Sequence, residues 1–74
     1  MSPELRGLKA RDVTKAFQRA GGVLRSGKGD HINIKMPNGR IITFRSIGEV
    51  KIGLLKDALK EAGITEEDFK KLLG

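Results

Sequence analysis

The chain has 74 residues, room for one small domain and none for a second substrate domain, and a chain this short buries only about 60% of its unfolded surface. With no cysteine it has no disulfide, thiolate metal site or cysteine nucleophile, and must fold on packing alone. The formal net charge of +6 is uneven: residues 1–45 carry ten Lys/Arg against three acids, residues 46–74 five against six. That makes a basic first part suited to polyanions, nucleic acid first. The start, "MSPELRGLKA", lacks the apolar run of a signal peptide, and no window reaches the apolar length of a membrane span. The expectation is a soluble cytoplasmic protein with no membrane partner.

Residues 1–9 show no sustained periodicity and contain Pro3 and Gly7, so a flexible entry segment is expected there, ahead of a single domain over residues 10–74. From Ala10 to Ala20, Val13, Ala16, Phe17 and Ala20 recur at helical spacing, with Arg11, Lys15, Gln18 and Arg19 off that stripe. The Gly21-Gly22 pair ends this helix. Val23 to Arg25 reads as a short strand, "SGKGD" as a turn, and "HINIKM" alternates: Ile32, Ile34 and Met36 on one face, His31, Asn33 and Lys35 on the other. "PNGR" carries an Asn-Gly turn signal, and "IITFR" has Ile42 and Phe44 as its inward pair. Residues 23–45 therefore read as a three-stranded antiparallel meander. Ile52, Leu55, Ala58, Leu59 and Ala62 line a second helix that stops at Gly63. Thr65, with Asp68 three residues on, caps a last short helix whose apolar side is Phe69, Leu72 and Leu73. Helices on one face of such a sheet give a two-layer α+β domain and leave His31, Asn33 and Lys35 toward solvent.

Gly22 to Lys28 matches the spacing of a phosphate-cradling P-loop as far as its lysine. Gly29 follows instead of Ser or Thr, and a strand rather than a helix comes next, so a nucleotide site of that type is set aside. The turn around Gly27 and Gly29 either serves only as a hairpin or offers its backbone N–H groups to a phosphate, with Lys28 adding charge. His31, the single histidine, is either a surface residue at the mouth of a strand or a general base, since imidazole exchanges protons near neutral pH. One histidine without clustered acids is a poor metal site, and no cofactor is implied. Asp30 either orients that imidazole or caps a turn. Glu66, Glu67 and Asp68 suit the first turn of a helix and are not read as a catalytic carboxylate pair. Arg25, Lys28, Gly29, Lys35, Arg40 and Arg45 make up the candidate phosphate-contact set. The absence of Tyr and Trp argues against a base-stacking platform.

The stretches "KGDHINIKMPNGRIITF" and "GEVKIGLLKDALKEAGITEEDFKKLL", with "LKARDVTKAFQRAGG" before them, resemble the HicA-type mRNA interferase toxins of toxin–antitoxin pairs, over residues 8–73. The resemblance implies a double-stranded-RNA-binding-domain-like α-β-β-β-α fold. It also implies a catalytic histidine at the start of the second strand, a position that Gly29-Asp30-His31 matches. Many members carry serine where Asp30 stands and proline where Arg45 stands. The function implied is a metal-independent endoribonuclease toxin, monomeric by itself, acting on mRNA and held by a HicB-type antitoxin. The alternatives are a non-catalytic RNA-binding module of the same fold and an inactive relic that only binds its antitoxin.

Overall fold

The computed structural model describes residues 5–73. Its elements run α1 (Ala10–Arg19), β1 (Val23–Ser26), β2 (His31–Lys35), β3 (Ile41–Arg45), α2 (Ile52–Ala62) and α3 (Glu66–Leu73). The sheet is antiparallel in the order β1-β2-β3, and the helices lie against one of its faces, as the hydrophobic patterning requires.

The apolar stripe of α1 is Ala10, Val13, Ala16 and Phe17, all buried. The helix has no side-chain N-cap; the Ala10 N–H, an orphan donor of the first turn, donates instead to the Gly48 carbonyl at 2.9 Å. Gly21 adopts φ +98 where α1 ends. Gly22 is needed for space: a Cβ there would lie 2.6 Å from Ile34 Cγ2 and 2.8 Å from the Phe17 carbonyl.

In β2 and β3 the inward residues Ile34, Ile42 and Phe44 are buried and Ile32 is half-buried. The β2–β3 connection is a three-residue loop, Pro37-Asn38-Gly39, not a two-residue Asn-Gly turn. Gly39 alone takes φ +88, its N–H donates to the Met36 carbonyl, and Asn38 Oδ1 accepts from the Arg40 N–H. α2 packs on β3 through Leu55 and Leu59 and ends at Gly63 in the left-handed region, φ +71. The Asp68 N–H donates to Thr65 Oγ1 at 3.1 Å, so Thr65 caps α3 as expected.

α3 packs chiefly against α1 and delivers Phe69 to the core. The Phe17 ring lies 5.0 Å from that of Phe69 and 6.3 Å from that of Phe44, tilted in both cases, so it joins sheet, first helix and last helix. Burying Phe17, Phe69, Ile34, Leu55 and Val13 contributes about 1.5–3 kcal/mol each.

Of the segment expected to be flexible, residues 1–9, the structure describes 5–9, and these join the domain at Leu5, Leu8 and Lys9. Leu5 is buried in the core, the Val50 N–H donates to the Leu8 carbonyl, and Lys9 forms an isolated antiparallel bridge with Glu49. Backbone pairing with residues 48–50 therefore ties residues 8–10 to the domain. Pro3 and the rest of residues 1–4 lie outside the described residues.

Candidate nucleic-acid interface

The sheet face away from the helices holds most of the candidate residues. Strand alternation points His31, Asn33 and Lys35 of β2 to that side. The register sets Arg25 of β1 opposite Asn33 and Val23 opposite Lys35; from β3 it sets Arg45 opposite His31, Thr43 opposite Asn33 and Ile41 opposite Lys35.

The hydrogen-bond phase of the β2–β3 ladder brings the outward pairs close. The Ser46 N–H donates to the Asp30 carbonyl, and the Met36 N–H to the Arg40 carbonyl at 2.8 Å. These bonds flank the pairs His31–Arg45 and Lys35–Ile41, which are therefore non-hydrogen-bonded pairs, as is Asn33–Thr43 between them. In such pairs the Cα atoms approach to about 4.5 Å and the side chains stand nearest to one another. Thr43 Oγ1 accordingly donates to Asn33 Oδ1 at 2.6 Å. Asn33 is placed on this face by its sequence alternation, whereas Thr43 is not singled out there; the only sequence signal for the pair is the hairpin register.

The "SGKGD" stretch is a tight turn in which the His31 N–H donates to the Lys28 carbonyl at 3.2 Å and Gly29 adopts φ +61. Gly29 is required by that backbone angle, since the space beside it is open, while Gly27 is required by contact. A Cβ on Gly27 would stand 2.6 Å from the His31 carbonyl oxygen. Asp30 directs Oδ2 toward Arg45 Nη2 at 3.8 Å, both side chains more than half exposed. Asp30 therefore contributes an electrostatic restraint on the cation beside His31, and an exposed pair of this kind adds little stability.

Of the candidate phosphate contacts, Arg25, Lys35 and Arg45 share the open face with His31, and Lys28 and Gly29 stand at its rim in the turn. Arg40 does not join them. It sits at the other end of β2, about 17 Å along the strand from His31 at the usual rise. There its Nη1 lies 3.4 Å from Glu61 Oε2, and Asn38 Nδ2 donates to the Glu61 carbonyl beside it. The C-terminal turn of α2 draws Arg40 to the hairpin tip. His31, Arg25, Lys28, Lys35 and Arg45 are all exposed, so the site is a broad cationic surface that an extended polyanion can lie across.

A family model described as HicA toxin of bacterial toxin-antitoxin matches residues 10–64. The chain belongs to the HicA toxin family. The match runs from the first residue of α1 to just beyond α2, so this HicA-family toxin carries its whole sheet, the turn and His31 within the matched region. α3 lies outside it, although Phe69 completes the core. Membership implies an antitoxin partner for the HicA-family chain. Among curated proteins, none matches it in sequence. No helix among the described residues is long and apolar enough to cross a membrane.

Proposed function

We propose that this HicA-family toxin is a metal-independent endoribonuclease acting on mRNA, with His31 as the general base. The observation that carries the reading is the close cross-strand pair of His31 and Arg45 on an open cationic face, directly after the Lys28-Gly29 turn. RNA lying on this face places a phosphodiester against Arg45 and Lys28. The His31 imidazole takes the proton of the adjacent ribose 2′-hydroxyl, and the 2′-oxygen attacks phosphorus in line with the 5′-oxygen. The new 2′-O–P bond forms as the P–O5′ bond breaks, giving a 2′,3′-cyclic phosphate and a 5′-hydroxyl. The leaving oxygen takes its proton from water on the exposed face or back from the imidazolium. Arg45, Lys28 and Arg25 stabilise the charge on the non-bridging oxygens, and Lys35 holds the strand further along. A HicB-type antitoxin fits the same face as an acidic cover over His31.

The test is cleavage of RNA by the purified chain in EDTA, with His31→Ala beside it. The proposal expects metal-independent cutting to cyclic-phosphate ends, and a loss of about 10²- to 10⁴-fold in the variant. Equal cutting by both proteins sinks it; RNA binding with no cutting by either favours the non-catalytic module.

A further inference from the structure

We infer that the Asn33–Thr43 pair, which lies between the His31–Arg45 row and the Val23–Lys35–Ile41 row of the open face, reads the edge of an RNA base next to the phosphate. The inference rests on the RNA-cleaving reading of the same face and adds its specificity element.

Phosphate contacts carry no sequence information, so cations such as Arg25, Lys28 and Arg45 position the strand without sorting it. Asn33 and Thr43 form the uncharged hydrogen-bonding pair among them. The hydroxyl proton of Thr43 is spent on Asn33 Oδ1 at 2.6 Å, which leaves the Thr43 oxygen as an acceptor only. The amide is then oriented with Nδ2 away from Thr43 and toward β1, where a Cβ on Gly27 would lie 3.4 Å from it. The face thus presents a donor on the β1 side and an acceptor on the β3 side, in fixed order.

Cytosine and guanine present the opposite functions in one order each. Adenine and cytosine offer an exocyclic amino donor beside a ring-nitrogen acceptor. Guanine and uracil offer an exocyclic carbonyl acceptor beside a ring N–H donor. Adenine has a ring acceptor on either side of its amino group and uracil a carbonyl on either side of its N3–H, so both satisfy either order, whereas a fixed donor–acceptor pair leaves polar groups unpaired against one of cytosine and guanine and so separates those two.

The neighbouring row supplies somewhere for the ring to lie. Val23 and Ile41 are 58% and 54% exposed on either side of Lys35, about 7 Å along the strand from the pair. All three phenylalanines are buried, so the base meets aliphatic side chains here and is recognised at its edge rather than by stacking on a ring.

The experiment measures binding of four short oligoribonucleotides, each built from a single base, to the full chain carrying His31→Ala, so that binding is read without cutting. The same set is run with Thr43→Val and with Thr43→Ser added. The parent is expected to bind C and G differently by between about fivefold and about 150-fold. Thr43→Val, which keeps shape and loses the hydroxyl, is expected to bring these two within about twofold, and Thr43→Ser to retain the division. Equal binding of C and G by the parent overturns the inference. So does a division that survives Thr43→Val, or a uniform loss of affinity in that variant. Cleavage by the unmodified chain is scored separately. A chain that sorts bases without cutting sinks the nuclease reading alone, and one that cuts without sorting sinks this inference alone.

Discussion

His31 is held by its neighbours more than by its own contacts, and the clearest case is Gly27. Replacing it with alanine drives a Cβ to 2.6 Å from the His31 carbonyl oxygen, against backbone that has no alternative place. Gly27→Ala is expected to destabilise the chain by about 1–3 kcal/mol and to lower RNA cleavage beyond that, because His31 itself is displaced. A urea midpoint alongside a cleavage rate separates the two effects; unchanged values in both contradict the geometry. Arg45 behaves differently, since its side chain is 69% exposed and meets Asp30 only at 3.8 Å. Arg45→Ala is expected to leave the urea midpoint where it is and to lower kcat/KM on RNA by about 10- to 100-fold, through loss of the charge beside the reacting phosphate. A fall in stability with no kinetic change would make Arg45 structural. The candidate base was legible in the sequence, because alternation over residues 31–36 settles which side chains face out. Its partner Arg45 was legible only as one basic residue among six, because cross-strand opposition depends on the ladder register.

At the level of elements, the last connection shows how a local signal secures a distant contact. Gly63 ends α2 in the left-handed region, and Thr65 accepts the Asp68 N–H two residues later. Both follow from residue chemistry, and both were readable. Their consequence is tertiary: they aim α3 so that Phe69 reaches Phe17. Thr65→Ala is expected to cost about 1 kcal/mol in a urea titration, and a cost near zero would mean that packing of Phe69 alone holds α3 in place. The β2–β3 hairpin shows the limit of such signals. Asn-Gly announces a turn there, yet the loop has three residues, with the Asn38 side chain bonded to the Arg40 N–H and to the α2 carbonyl of Glu61. That second bond lies outside local sequence, and it accompanies the ion pair that removes Arg40 from the site.

For the molecule as a whole, a single small core carries the fold, and the open sheet face gathers Arg25, Lys28, Lys35 and Arg45 around His31. A domain of this size holds on the order of 0.05–0.15 kcal/mol per residue of net stability. Phe17→Ala, which empties the junction with Phe44 and Phe69, is expected to cost about 3–5 kcal/mol and to leave much of the chain unfolded at 37 °C, visible as lost helical circular dichroism. RNA affinity is expected to fall steeply with salt, and charge-removing substitutions of Arg25, Lys28 or Lys35 each to flatten the log–log slope by about 0.7 on single strands; a salt-independent affinity would remove the cationic face from the interaction. Helix stripes, strand alternation, glycine stops and the α3 cap were determined by the sequence alone, because each rests on spacing within one element. The tertiary structure decided the docking of Leu5 and residues 8–10, the departure of Arg40 toward Glu61, and the pairing of His31 with Arg45 and Asn33 with Thr43. Those relations join residues through loop length, ladder phase and helix packing, and no periodicity within a segment encodes which residue will stand across from another.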